Sequence, residues 1–397
     1  MPGLRTISSS EMRSINKSAI LDLIRKEGPV SRTAIGKQLK VSLPTVMRVT
    51  DALVDEGLVC ADPATEWTGG RRRPLLRLDF DANAVVGVEL KGTHLFGAVS
   101  NLGGRTLEEV RLPNPGRTAE ERYACLVDMV KSLLGNPGLS GKHVRGIGIG
   151  APGVTLHQDG VVTQGAGLGW PDYPMRDRLT RDLGLPVTVE NDINLAALGE
   201  LWFGAGQACT NMALISIGAG IGAGIVIDGM LYRGSHEAAG EVGYLLPDRS
   251  HLGREYGAFG ALETLASGRG IVERSRRLLQ EMNVPDGPTL NGAEEVFQAA
   301  RVGQKWALEI VNETVDYLAI LVGAIASIVD PEVIILHGGV SRSSDLLLEP
   351  IMMRLARAIP VPPRLVKSEL GQRAVALGAV ASVIRFTSDY TVAHEWT

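Results

Sequence analysis

Three arginines in a row, Arg71–Arg73, directly follow a Gly69-Gly70 pair. A fourth, Arg48, stands three residues after Thr45 and six after Ser42. These residue types and spacings suit nucleic acid. Guanidiniums on a tight turn match phosphates or a narrow minor groove. Arg48 can reach base edges or phosphates, while the hydroxyls of Ser42 and Thr45 can hold the backbone. A charge run alone is more often a solvated loop. The pattern just upstream decides against that reading here.

Ile20, Leu23 and Ile24 recur at helical spacing. Ser31 is placed to cap a second helix, "RTAIGKQL", with Ala34, Ile35 and Leu39 inward. A short turn at Lys40-Val41 leads to Ser42, the expected cap of a third helix from Leu43 to about Glu56. Pro44 suits its first turn, and Val46, Val49, Leu53 and Val54 are expected to face inward. Gly57 then ends the helix in a left-handed cap. "LVCAD" and "PLLRLDF" read as two wing strands. Residues 18–80 therefore read as a winged helix-turn-helix, with Ser31, Arg32, Ser42, Thr45, Arg48, Arg71, Arg72 and Arg73 facing a palindromic or pseudo-palindromic duplex.

Charge divides the chain at the same place. Residues 1–80 hold 13 Lys+Arg against 9 Asp+Glu, whereas the remainder holds 27 against 35. The net charge of −4 conceals a basic head on an acidic body. The 45% hydrophobic and 21% charged content is that of a globular protein with a sizeable core. No secretory leader pattern opens the chain. Met212–Ile227 is uncharged but glycine-interrupted, and the apolar stretch Tyr317–Val329 is too short to span, so no membrane is expected. Cys60, Cys125 and Cys209 have neither disulfide-framework nor metal spacing, and a reducing cytoplasm is expected.

The body, residues 81–397, reads as two lobes of about 81–205 and 206–397, with the C-terminal helix returning to the first. "AVVGVEL" and "HLFGAVSN" form a hairpin, "HVRGIGIGAPG" a buried strand, and "PVTVENDINLAALGE" a strand running into a helix. "NMALISIGAGIGAGIVIDGMLYRG" repeats the strand–turn–strand opening, and a long apolar helix spans Trp306–Ile328. The fold class is α/β: a winged helix-turn-helix plus a two-lobed actin-like ATPase (ribonuclease H-like) domain.

From the "GGRRRP" wing to the "HGGV" loop, the chain resembles the ROK family of repressors and sugar kinases, in its transcriptional-regulator branch. The most specific segments are "ENDINLAALGE", "IGAGIGAGIVIDGMLYRGSHEAAGEVGY" and "HGGV". The resemblance implies that Asp192 stands where the kinases have their general base, with Asn191 beside it for sugar hydroxyls. It implies sugar-binding roles for Glu241 and Glu263, a weaker one for His236, and phosphate loops at Thr93, Gly218, Gly220, Gly222, Gly338 and Gly339. Asp192 as a plain helix cap and the glycines as a plain hairpin remain open alternatives.

The departures matter equally. The family's Asp-x-Gly-Gly-Thr loop is here Glu89-Leu90-Lys91-Gly92-Thr93. A lysine replaces a glycine that lets backbone approach phosphate. Tyr244 stands where the family has a histidine touching both zinc and sugar, and "HLGREYGAFGALE" carries none of the zinc cysteines. No zinc is therefore expected. Tyr256 and Phe259 are expected to hold that loop by packing, and Tyr244 to offer a hydroxyl to the sugar. The expected function is a sugar-responsive repressor, acting as a homodimer or dimer of dimers with a monosaccharide effector and no cofactor. The alternatives are an ATP- and magnesium-dependent sugar kinase and a ligand-blind repressor.

Overall fold

The computed structural model describes residues 8–66, 73–165, 170–257, 259–282 and 288–388. Three helices open the head: α1 (Ser9–Glu27), α2 (Arg32–Leu39) and α3 (Leu43–Asp55). Ser31 caps α2, its hydroxyl accepting the Ala34 N–H at 3.2 Å. Ile20, Ile24, Ile35, Val46, Val49 and Leu53 are buried together, each contributing roughly 1.5–3 kcal/mol. Val54 departs from expectation at 39% exposed, and Thr50 takes its place inside. Val54 lies about 80° round the helix from Val46, against about 40° for Thr50. Ser42 holds the cap position but bonds the Thr45 hydroxyl at 2.9 Å instead of a backbone N–H.

Gly57 ends α3 at φ +67°. Its N–H donates to Val54 O at 2.8 Å, and the Leu58 N–H to Leu53 O at 3.0 Å, the paired bonds of a left-handed helix end. The chain then enters the wing hairpin, β1 (Val59–Glu66) and β2 (Arg73–Leu78). Val30 and Leu76 exchange backbone bonds at 2.9 and 2.8 Å, tying the wing to the α1–α2 connection. Arg71 and Arg72 lie outside the described residues, and Arg73 begins β2.

The first lobe comprises β3 (Asn83–Leu90), β4 (His94–Asn101), β5 (Thr106–Pro113), α4 (Ala119–Leu134) and β6 (His143–Ala151). A small meander follows, β7 (Val154–Leu156), β8 (Val161–Gly165) and β9 (Trp170–Tyr173), then α5 (Met175–Leu183), β10 (Val187–Asn191) and α6 (Asp192–Phe203). Its main sheet runs β10-β6-β3-β4-β5. The second lobe has β11 (Met212–Ile217), β12 (Ile221–Ile227), β13 (Met230–Leu231), α7 (Ala261–Ala266), α8 (Gly268–Glu281) and α9 (Ala293–Arg301). It continues through α10 (Lys305–Val329), β14 (Val333–His337), α11 (Leu348–Leu355), β15 (Arg364–Lys367) and α12 (Ala374–Thr387). Its sheet, β13-β12-β11-β14-β15, repeats the first: an antiparallel meander of three strands, then two strands parallel to the first of them.

Met212–Ile227 is thus a β-hairpin. The apolar stretch expected from Tyr317 is part of a longer helix, since α10 begins at Lys305 and is long and apolar enough to cross a membrane by length and composition. Most of its apolar side chains are buried in the second-lobe core. The closing helix α12 leaves that lobe and lies across β3, β4 and β6, against α6. Glycine permits this approach: a Cβ on Gly87 would stand 2.5 Å from Ala376 O, and one on Gly148 2.5 Å from the Ala379 Cβ.

Candidate functional site

In the head, the N-terminal half of α3 offers Ser42, Leu43, Pro44, Met47 and Arg48 to solvent, with Thr45 half-buried. Met47 was not anticipated. At 48% exposed beside Arg48, it is suited to an apolar contact such as a thymine methyl. Two expected contact residues are committed elsewhere. Ser31 is 3% exposed and spent on capping. Arg32 donates to Thr50 Oγ1 and Asp51 Oδ1, both at 2.7 Å, and so braces α2 against α3.

In the body, the fold gathers the chemistry where β10 becomes α6. The helix cap is Asn191, not Asp192. Asn191 Oδ1 accepts the N–H groups of Ile193 and Asn194 at 2.9 and 3.1 Å, and its amide donates to Gly153 O at 3.0 Å. Asp192 is the first helical residue, with one oxygen accepting the Ile193 N–H at 3.0 Å. One edge of Asp192 reaches solvent. Burial of the carboxyl and the charge of Glu89 nonetheless push its pKa up to about 7, against the pull of Lys91.

Glu89 is buried near the end of β3 and paired with Lys91 Nζ at 2.8 Å. In the same loop Thr93 Oγ1 contacts His94 Nδ1 at 3.0 Å. The lysine therefore occupies the carboxylate that the family's phosphate loop would keep available. Behind the cap, Glu190 is 1% exposed and accepts from Arg233 Nε and its terminal nitrogen at 2.8 and 2.6 Å. Asn194 Nδ2 donates to it at 3.0 Å and His157 lies 3.3 Å away. Arg233 precedes the loop bearing His236 and Glu241, so this ion pair fastens the second lobe to the first. Sequence reasoning had passed over Glu190 and Arg233, although both lie in the quoted segments.

Glu263 accepts the Ile221 N–H at 2.9 Å and the Gly260 N–H at 3.3 Å, which orients it beneath β12. Desolvation by its surroundings and then the charge of Glu263 raise the pKa of Glu241, although the residue as a whole is exposed, so the two carboxylates share one neighbourhood. Tyr244 is 58% exposed and open to a ligand. His236 is exposed on its loop, and among the described residues no hydrogen bond or ion pair joins it to the others.

The expected phosphate glycines divide. Gly220 makes room for Glu263, whose Oε1 lies 2.0 Å from where a Cβ would stand, and Gly222 makes room for Ile193. Gly338, at φ +90°, passes close to Ile217 O. These three serve packing. Gly218 and Gly339 have open space on the Cβ side and line a cavity of about 590 Å³ in the second lobe. Arg269, Arg276 and Arg342 also line it, and none of the three was anticipated. The loop that lacks zinc ligands is held by stacking: His251 on Tyr256 at 5.8 Å, and Arg269 over Phe259 at 4.4 Å.

A winged-helix head joined to a two-lobed actin-like body, with carboxylates at the β10–α6 junction and beneath β12, defines a DNA-binding regulator on a sugar-kinase-like scaffold. The ROK family model matches residues 85–385, and the MarR family model matches residues 14–60. This chain belongs to the ROK family. It is 30% identical to the xylose repressor of Caldicellulosiruptor bescii, over 94% of this chain and 96% of that protein. It is also 34% identical to the glucokinase of Halalkalibacterium halodurans, but over 69% of this chain and 86% of that one. A crystal structure of a ROK family transcriptional regulator, homologous to the Escherichia coli MLC protein, superposes with a TM-score of 0.82 at 24% identity, covering 96% and 98% of the two chains. The likeness to the xylose repressor thus runs along nearly the whole chain, and that to the glucokinase covers about two thirds of it.

Proposed function

We propose that this protein is a cytoplasmic repressor whose affinity for a palindromic duplex is altered by a neutral monosaccharide at Asn191, Asp192, Glu241, Tyr244 and Glu263. The Glu89–Lys91 ion pair carries the reading. It leaves a carboxylate set suited to sugar hydroxyls but neutralises the acidic group expected beside metal-bound phosphates. The full-length likeness to a xylose repressor supports a sugar as the effector class. In a homodimer, or a dimer of dimers, two heads would meet half-sites spaced about 34–36 Å apart. The sugar alters binding only by favouring one arrangement of the heads over another.

Two observations favour a second reading as a sugar kinase: a carboxyl poised near pH 7 and the cavity beside Gly218 and Gly339. One experiment separates the two. The protein is incubated with a monosaccharide panel, with and without magnesium-ATP, while melting temperature, duplex affinity and ADP release are followed. The expected result is a melting shift and altered duplex affinity with one sugar, and negligible ADP release. Sustained turnover on the order of 1 s⁻¹, abolished by Asp192→Asn, would identify an enzyme instead. No melting shift with any sugar would favour a scaffold that senses nothing.

No zinc takes part in this reading. Tyr244 and the cysteine-free loop do not fit a tetrahedral N/S site, and the two stacked pairs hold the loop instead. Protein purified without a histidine tag is expected to contain well under one zinc per chain and to melt unchanged after chelation. About one zinc per chain, lost together with the fold, would overturn this.

A further inference from the structure

The C-terminal end of the recognition helix rests on the body. Its last carbonyls, beyond the reach of the helix's own N–H groups, are the negative end of the helix dipole. Two carbonyls just past that end, those of Glu56 and Gly57, are taken by first-lobe side chains. Asn83 Nδ2 donates to Gly57 O at 2.8 Å, and a terminal nitrogen of Arg145 donates to Glu56 O. Arg145 Nε also donates to Asn83 Oδ1 at 2.6 Å, so the two side chains act as one unit. Asn83 is 1% exposed. Asp79 O accepts from it as well, at 2.9 Å, at the junction of wing and body.

The position of these residues in the fold gives the contact its meaning. Asn83 opens β3, whose far end carries Glu89, a negative charge that acts on Asp192. Arg145 lies near the start of β6, the parallel neighbour of β3. Just past the far end of β6, the Gly153 carbonyl holds the Asn191 side chain. A second contact repeats the arrangement. The Arg25 guanidinium of α1 lies 4.4 Å from the Trp202 ring centre, and Trp202 is near the end of α6, the helix that Asp192 begins. Each of these elements has one end at the head and the other at the candidate sugar site.

We infer that Asn83 and Arg145 are positioning residues that transmit the state of the interlobe site to the recognition helix. The inference rests on the sugar-sensing reading. The strands are buried and close-packed, so they transmit small displacements as units. A hydrogen bond weakens steeply with misalignment, so a shift of β6 against β3 changes the hold on Glu56 and Gly57. The orientation of α3 then depends on the ligand, and duplex affinity changes with it.

The test uses the full chain and a labelled duplex that the protein selects from fragments of its own genome. Affinity is measured with and without D-xylose, D-glucose or N-acetylglucosamine, using whichever shifts the melting temperature. In the unsubstituted protein the sugar is expected to change affinity by about tenfold or more. Arg145→Ala is expected to keep the melting shift and to bind the sugar-free duplex within about threefold of the original, while the sugar changes its affinity less than about twofold. Arg145→Lys keeps the charge but cannot bond both partners, so an intermediate ratio is expected, and it guards against simple unfolding. A full sugar effect surviving in both variants would overturn the inference alone, as would loss of sugar-free duplex binding in both. Absence of a sugar effect in the unsubstituted protein would remove the sensing reading, and this inference with it.

Discussion

Replacing Arg48, Arg71, Arg72 and Arg73 together with alanine is expected to weaken duplex binding by about a hundredfold or more at moderate salt. Each guanidinium that neutralises a phosphate releases condensed counterions. Losing three wing contacts should therefore flatten the dependence of log affinity on log salt by about three. Arg48 should act differently. It is exposed on the half of α3 proposed to enter the major groove, beside Met47 and Thr45. Arg48→Ala alone is expected to cost about 1–3 kcal/mol and to relax base preference at one position of each half-site, with a smaller change in salt slope. Competition titrations against permuted duplexes separate these effects. Unchanged affinity in the quadruple variant would remove the head from DNA recognition. Arg32→Ala serves as contrast. Because Arg32 braces Thr50 and Asp51, its loss should reduce head stability by about 1–2 kcal/mol.

Asp192→Asn should weaken sugar binding and also stabilise the protein, with a characteristic pH dependence. The folded chain retains the Asp192 proton up to about pH 7, whereas the unfolded chain releases it near 3.8. Below 3.8 both states are protonated and the residue makes no difference. As pH rises from there to about 7, the unfolded state alone ionises, so stability falls. Above 7 both states are ionised and the penalty is constant, on the order of 2–4 kcal/mol. An asparagine never carries that charge. The melting temperature of Asp192→Asn should therefore exceed that of the original protein at pH 8, with the gap closing toward pH 4. Because the ionised carboxylate is the better acceptor for sugar hydroxyls, sugar affinity of the original protein should decline as pH falls below 7. A gap that does not vary with pH would show that this carboxyl titrates in the ordinary range. A pH-dependent gap without loss of sugar binding would place the sugar away from Asp192.

Local patterns in the chain were sufficient for much of this architecture. Periodicity placed α2 and α3 within a residue, because the spacing of Ile35, Val46, Val49 and Leu53 is set by helix geometry alone, whereas α1 begins at Ser9, well before the Ile20–Ile24 pattern that signalled it. Gly57 marked its helix end because the left-handed conformation strains residues with a Cβ. The family segments pointed to Asp192, Glu241 and Glu263 as candidates, and the change in charge pointed to a head–body boundary near residue 80. Tertiary structure decided which side chains were available. Ser31 and Arg32 have the chemistry of contact residues, yet capping and bracing bonds occupy them. Gly220 and Gly222 have the spacing of a phosphate loop, yet their missing side chains admit Glu263 and Ile193. The Glu190–Arg233 pair and the hold of Asn83 and Arg145 on the recognition helix join residues 26 to 89 positions apart. Local sequence specifies backbone preference and the face a residue occupies. A hydrogen-bonding group's partner depends on which distant elements fold against it, and only packing brings those together.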